Sequence, residues 1–454
     1  MVRIAHQLLY CRREKFSRTA DHYPGKEMAT ITVILPFAKV LAAFAIILIG
    51  IKRRLGLAPS ILAGGWFLAL VFGLSLVDCL AVSGQALVEE RFLLLAAIVG
   101  AILILSDALE KSGQSSRLMA ALSGYLTGPR LRLIFFPALI GLLPMPGGAV
   151  FSAPMIKAVS RDMNLGKTDR VLINYWFRHV WEMAWPLYPG IILTVALAGI
   201  PITAFISKSW PGVVAMFAIG WLFFLRPGVL DLGVSDAPLQ LETRDFRQVL
   251  REGLPLAIAI FGAIGMESLL THLAPTVPFE LGVIAALVAA IVCIVVQNRL
   301  GGDFLVGVLR KRALWAMLLV IAAIFIFKDL MQAAGVVTAM AAVAGSSVAL
   351  FAAAVLLPFL VGAVAGINVA FVGATFPLLI GLLESLGMAE QIIPYLILGS
   401  FSGFTGVMIS PIHICFVLTC DYFQTDLFTA WRRLVAPCLC FGLSGVALFW
   451  FLLP

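Results

Sequence analysis

Apolar stretches of about 20 residues recur along almost the whole chain, and this recurrence limits its fold more than any other feature. A helix needs ~20 apolar residues to cross the ~30 Å hydrocarbon core of a bilayer. Stretches of that kind lie at 31–51, 58–78, 92–110, 171–200, 209–226, 252–271, 279–297, 313–333, 392–420 and 430–452. A bilayer offers no hydrogen bonds, so each stretch must satisfy its own backbone and is expected to be helical. The composition agrees: 61% of the 454 residues are hydrophobic and 12% charged, about half the charge fraction of soluble domains. A water-soluble fold cannot hide that much apolar surface. A soluble enzyme, a nucleic-acid-binding domain and a disordered chain are thereby excluded, and the lipid bilayer becomes the first partner.

Two segments do not fit simple crossings. Residues 131–160 are interrupted by Pro137, Pro144, Pro146, Gly147, Gly148 and Pro154, and 346–385 by Pro358, Gly362, Gly366, Asn368, Gly373 and Pro377. Arms of about a dozen residues are too short to cross, so both read as re-entrant hairpins. Such backbone is tolerated at membrane depth only against protein or a wet cavity.

The two halves of the chain correspond. Asp107 and Gly113 match Asp329 and Gly335 at an offset of 222, Pro137 and Gly141 match Pro358 and Gly362 at 221, Pro154 matches Pro377 at 223, and Pro186 and Thr194 match Pro411 and Thr419 at 225. The expected architecture is an all-α polytopic membrane protein. It has about ten transmembrane helices in two five-helix repeats, 31–226 and 252–454, each with a hairpin and a Pro-broken helix. Five crossings is an odd number, so the second repeat is inverted relative to the first, as in many secondary transporters. Residues 227–251 form a polar cytoplasmic linker. Residues 1–30, rich in Arg and Lys, read as a disordered or mis-assigned extension.

Charge supports this topology through the excess of Lys and Arg in cytoplasmic loops. With 52–57 inside, Lys52–Arg54, Arg130, Arg132, Arg310–Arg312, Arg432 and Arg433 all fall inside, and only Arg91, Lys208 and Lys328 fall outside. The net charge of +8 is thus a membrane-face signal rather than a nucleic-acid footprint. The cysteines show no metal spacing. Cys438-x-Cys440 lacks a partner pair, so buried thiols are expected.

The residues with chemistry lie at the hairpin tips and helix breaks. In LLPMPGGAVFSAPM (142–155), Gly147 and Gly148 expose backbone N–H groups where helix dipoles favour an anion, with Ser152 as a hydroxyl ligand. In GAVAGINVAFVGATFP (362–377), Asn368 and Thr375 supply an amide and a hydroxyl. In NYWFRHVWEMAWPLYPG (174–190), Asn174, Arg178 and Glu182 recur at i, i+4 and i+8 on one helical face. Arg178 is an anion candidate, and Pro186 and Pro189 free carbonyls for a cation. Ser410 and Pro411 mark the mirrored break, where His413 is a candidate for a proton or carboxylate. Expected substrate residues are therefore Gly147, Gly148, Ser152, Asn368, Thr375, Arg178 and His413; expected coupling-ion residues are Asn368, Pro186, Pro189 and Ser410. Asp107, Asp329, Glu267 and Asp303 read as helix-end residues.

The motifs LLPMPGGAVFSAPM, INYWFRHVWEMAWPLYPG and ISPIHICFVLTCDYF resemble a branch of the ion transporter superfamily, the domain of unknown function number four hundred and one, over residues 31–454. That superfamily also holds citrate, gluconate and dicarboxylate permeases. The resemblance implies an elevator-like mechanism, a homodimer, and a bacterial or archaeal cytoplasmic membrane. The tips lack the Ser-Asn-Thr triplets of the dicarboxylate symporters. The expected function is cation-coupled secondary transport of a small anion such as a carboxylate, driven by Na+ or H+, without a cofactor, metal or catalytic residue. One alternative is a permease subunit with an additional small membrane partner. A remote one is an intramembrane hydrolase using Ser402 and His413. No phosphate-binding P-loop is present.

Overall fold

The computed structural model describes residues 26–126, 128–142, 148–161, 163–233, 244–274, 276–341 and 347–453. Most of the expected N-terminal extension, residues 234–243 of the linker, and Gly147 at the first tip lie outside the described residues. Every regular element among the described residues is helical.

In chain order the helices are α1 (Lys26–Lys52), α2 (Leu57–Val71), α3 (Leu76–Ala86), α4 (Glu90–Lys111), α5 (Gln114–Ser123), α6 (Pro129–Gly141), α7 (Ala149–Val159), α8 (Lys167–Arg178), α9 (Pro189–Ala198), α10 (Ile202–Ser209) and α11 (Pro211–Gly220). A π-helical turn, Trp221–Leu225, extends α11. There follow α12 (Phe246–Leu273), α13 (Glu280–Asn298), α14 (Gly302–Leu309), α15 (Arg312–Ala333), α16 (Val336–Ala341), α17 (Ser347–Ala365), α18 (Asn368–Ser385), α19 (Ile392–Ile409), α20 (Ile414–Phe423) and α21 (Leu427–Leu452).

Among the described residues, ten stretches are long and apolar enough to cross a membrane, the number expected, but their membership differs. Residues 58–78 do not form one span. Gly73 adopts φ 101°, and the chain divides there into α2 and α3, of 15 and 11 residues. Conversely, the arms of the second expected hairpin are not a dozen residues long. α17 has 19 residues and α18 has 18, about 27–28 Å at ~1.5 Å per residue. Both helices run through a proline, Pro358 and Pro377. Proline removes a backbone donor and frees carbonyls one turn earlier. Ser402 donates to the Val355 carbonyl at 2.6 Å, in the turn before Pro358, and ties α19 to α17 there. The arms of the first segment, α6 and α7, have the expected shortness at 13 and 11 residues.

Packing concentrates many of the helix contacts in two groups, which α15 against α18 and α1 against α17 join. α1, α2 and α15 pack together, α4 packs on α13 and α15, and α12 lies along α13. Glycine permits the close approach: a Cβ at Gly64 would overlap Ile47, and one at Gly65 would press on Phe327. The second group joins α6–α8 with α20, and α17, α19 and α21 with α11. Charges sit at helix ends, as expected for Asp107 and Asp329. Asp107 pairs with Lys111 at 3.3 Å and with Lys311, and Asp329 pairs with Lys328, which also reaches Glu89 at 2.9 Å. Glu267 is wholly buried and accepts from the Ile202 N–H at 2.5 Å, at the start of α10.

The offsets seen in the sequence recur as contacts. Gly113 and Gly335 end α4 and α15 with φ 68° and 69°, where glycine carries no steric penalty. A Cβ on Gly141 would overlap the Arg178 carbonyl, and one on Gly362 would overlap the Gly403 carbonyl. Trp185 donates to the Leu142 carbonyl at 2.8 Å, and Ser410 donates to the Ala363 carbonyl at 2.7 Å. Thr194 and Thr419 each donate to the carbonyl four residues back, Gly190 and Cys415. Each pair joins positions 221–225 residues apart.

Candidate functional site

Both expected breaks are present. α8 stops at Arg178, and irregular backbone runs to Tyr188 before Pro189 opens α9. Proline suits the first helical position, where its missing N–H would have no partner. α19 stops at Ile409, and Ser410–His413 separate it from α20. Because α8 ends at Arg178, the expected single helical face carrying Asn174, Arg178 and Glu182 does not form. Glu182 lies beyond the helix in the turn, and this freedom lets it reach across to the other half of the chain.

There it accepts a hydrogen bond from Asn368 Nδ2 at 2.6 Å. Asn368 is the first residue of α18, two residues after Gly366, whose φ is 67°. Gly190, second residue of α9, lies against Asn368, with its pro-Cβ direction 3.3 Å from Asn368 Cβ. Glu182, Tyr188, Gly190, Thr194, Asn368 and Ser400 line a cavity with Phe205, Phe371 and Phe404. Its volume is about 20 Å³, enough for one water or one bare ion and far below the ~300 Å³ and upward of an organic-ligand pocket. Asn368 Oδ1 is buried without a hydrogen-bond partner among the described residues.

Arg178 is 3% exposed, and its guanidinium lies so close to Gly148 that a Cβ there would overlap it. Glu182 and Tyr188 are its electrostatic neighbours. Tyr188 also donates to the Gly141 carbonyl at 2.5 Å, and Trp181 to the Ala138 carbonyl at 2.8 Å, so the first break is fastened to α6. The absence of a side chain at Gly148 is therefore what admits the cation.

The structure brings Arg178, Gly148 and Asn368 to the region where the two breaks meet. Ser152 is wholly buried in α7. Pro186 belongs to the first break and Pro189 opens α9. Ser410 lies in the second break, with its hydroxyl committed to the Ala363 carbonyl. Thr375 does not line the cavity at Asn368. Its hydroxyl donates to the Phe371 carbonyl at 2.7 Å, and it lines a separate apolar cavity with Leu357, Pro358 and Leu378. Seven residues of helix separate it from Asn368, ~10 Å along the axis. His413 lies within the second break against His179 and Tyr175, at ring-centroid distances of 5.0 and 5.4 Å, and its backbone abuts Gly366. Ser402, proposed nucleophile of the hydrolase alternative, donates to the Val355 carbonyl, so that hydroxyl is already engaged.

Sequence reasoning missed Glu182 as a partner of Asn368, and Tyr188 as a strap. The signal for the first was available: Glu182 and Asn368 are polar residues in otherwise apolar stretches, one in each half.

The sequence family described as "Protein of unknown function (DUF401)" matches residues 35–452. The chain belongs to that family. No curated protein matches it.

Proposed function

We propose that this family member is a multi-pass membrane transporter of the secondary active type, carrying a small anion coupled to a cation. The observation that carries the reading is the Asn368–Glu182 hydrogen bond formed beside the buried Arg178 guanidinium. Buried ionisable groups in membrane segments are costly and mark ion or substrate pathways. Here a carboxylate, an amide and a guanidinium converge where two interrupted helices meet. Glu182 and the Asn368 carbonyl oxygen form the cation side, taking H+ or Na+. Arg178 and the backbone at Gly148 form the anion side. The ~20 Å³ cavity corresponds to an occluded state without room for an organic anion, so anion entry requires the parts to separate.

The architecture proposed is two inverted repeats, 31–226 and 252–454, joined by the 227–251 linker and placed in the ion transporter superfamily. Supporting it are the matched offsets and the equivalent contacts of Gly141 with Gly362 and of Trp185 with Ser410. Residues 131–226 and 346–453 would move as an elevator against a scaffold of 31–130 and 252–345, consistent with the two packing groups. The full arms of α17 and α18 leave the re-entrant character of the second hairpin as part of this proposal. The assembly proposed is a homodimer in a bacterial or archaeal cytoplasmic membrane.

The test is uptake of labelled carboxylates and oxyanions by proteoliposomes under a Na+ gradient or a pH gradient. The expected result is uptake of one anion class that requires one of the gradients and is abolished by Arg178→Ala and by Glu182→Gln in folded protein. Full uptake by both variants refutes the assignment. No uptake of any anion, together with co-purification of a stoichiometric small chain, favours the permease-subunit alternative.

A further inference from the structure

One side-chain cluster beside this site is not used by the transport reading. His179, the residue after Arg178, and His413 and Cys415, at the second break and the start of α20, each offer one ligand atom, and these three atoms lie within 4.8 Å of one another. All three residues are buried. They come from opposite halves of the chain, so no sequence spacing announces them.

The ligands are preset. His179 Nδ1 lies 2.6 Å from the Tyr175 carbonyl. Donation there fixes the tautomer and leaves Nε2 with a lone pair, the arrangement that orients metal-binding histidines. His413 is 6% exposed, and its Nδ1 has no hydrogen-bond partner. Cys415 is a free, buried thiol. The imidazole rings stand nearly perpendicular, at 87°, and Tyr175 packs edge-on against both. Tyr175 is itself held by donation to the Met408 carbonyl at 3.0 Å.

We infer that His179, His413 and Cys415 form a binding site for one soft monovalent metal ion, of the Cu(I) class, which clasps the two helix breaks together. Two imidazoles and one thiolate suit soft and borderline metals. Charge then selects among them. Binding breaks the Cys415 S–H bond, forms the S–metal bond and releases the proton to solvent. A monovalent ion with one thiolate is neutral, whereas a divalent ion leaves a net positive charge in a buried region already holding Arg178. Three ligands also match the low coordination number of Cu(I) and leave Zn(II) short of its usual four. Metal–ligand bonds of ~2.0–2.3 Å place ligand atoms ~3.5–4 Å apart, so binding draws the three side chains in by up to about 1 Å. This inference stands independently of which solute the chain carries.

The experiment is anaerobic titration of the purified full-length protein with Cu(I) in competition with a chromophoric chelator, followed by X-ray absorption of the loaded protein. Expected are one tightly held Cu(I) per chain and a first shell of one sulfur and two nitrogens. Cys415→Ser and His413→Ala should each weaken binding at least 100-fold. Cys440→Ser, which removes an exposed thiol, should leave it unchanged. A first shell with two or more sulfurs overturns the assignment, and this reading needs no variant to fold. Binding unaffected in folded Cys415→Ser, or Zn(II) held as tightly as Cu(I), overturns it as well.

Discussion

Truncating Asn368 to alanine removes a hydrogen bond that ties the first break to the start of α18. The Asn368–Glu182 contact is short, 2.6 Å, with a carboxyl group as acceptor. Hydrogen bonds to charged groups contribute about 1.5–3 kcal/mol, against about 0.5–1.5 kcal/mol for neutral pairs. The cavity at this contact has room for only about one water, so solvent replaces the lost donor poorly. Asn368→Ala is therefore expected to cost about 2 kcal/mol. Glu182→Ala removes the acceptor, and the double variant closes the cycle. Equilibrium unfolding of all four proteins in mixed micelles gives the coupling energy. A coupling of about 1.5–3 kcal/mol is expected, whereas residues that do not touch add within about 0.5 kcal/mol. Additive losses would refute the contact, and with it the joining of the two halves at this point.

Three further outcomes follow from the geometry. Gly362→Ala places a Cβ into the Gly403 carbonyl; backbone cannot swing aside as a side chain can, so a loss of about 1–3 kcal/mol is expected in thermal or denaturant unfolding, and Gly141→Ala should behave alike against Arg178. Thr375→Val should leave anion uptake within twofold of the parent, because the hydroxyl serves the Phe371 carbonyl and faces a separate cavity; a larger loss would return Thr375 to the site. Asp426, ahead of α21, accepts from the Thr429 N–H and hydroxyl, and these bonds hold its carboxyl below the ordinary aspartate range. Its contribution to stability is complete above the unfolded-state value and is lost as pH falls through the lower folded value. The protection of the first-turn amides of α21 against hydrogen exchange, taken relative to the intrinsic exchange rate at each pH, should therefore fall in acid, and Asp426→Asn should remove that pH dependence.

Much of the helical layout was legible in advance because hydrophobic length is a one-dimensional property. α4, α13, α15 and α21 lie close to where the apolar runs placed them, since a membrane-length helix satisfies its own backbone and needs no partner to be recognised. The breaks at Pro186–Pro189 and Ser410–Pro411 were legible for the same local reason: proline withdraws a donor wherever it stands. Reasoning from proline alone failed at Pro358 and Pro377, where α17 and α18 continue. The packing at Pro358, with Ser402 donating to the Val355 carbonyl, comes from another helix and cannot be read beside the proline. The span at 58–78 failed in the opposite direction, because apolar composition does not reveal the positive φ at Gly73.

The site divides along the same line. The sequence by itself determined the membrane class of the protein, the two breaks, the matched offsets between halves and the choice of Arg178, Gly148 and Asn368 as candidates. Those follow from composition, proline and glycine chemistry, and the rarity of polar groups in apolar runs. Only the tertiary structure decided that Glu182 meets Asn368, that Arg178 rests on Gly148, that Thr375 faces away, and that His179, His413 and Cys415 share one pocket. Each of these joins residues from different helices, the longest of them more than 200 positions apart. Their encounter depends on how the broken helices pack, and a linear pattern of hydrophobicity carries no record of that.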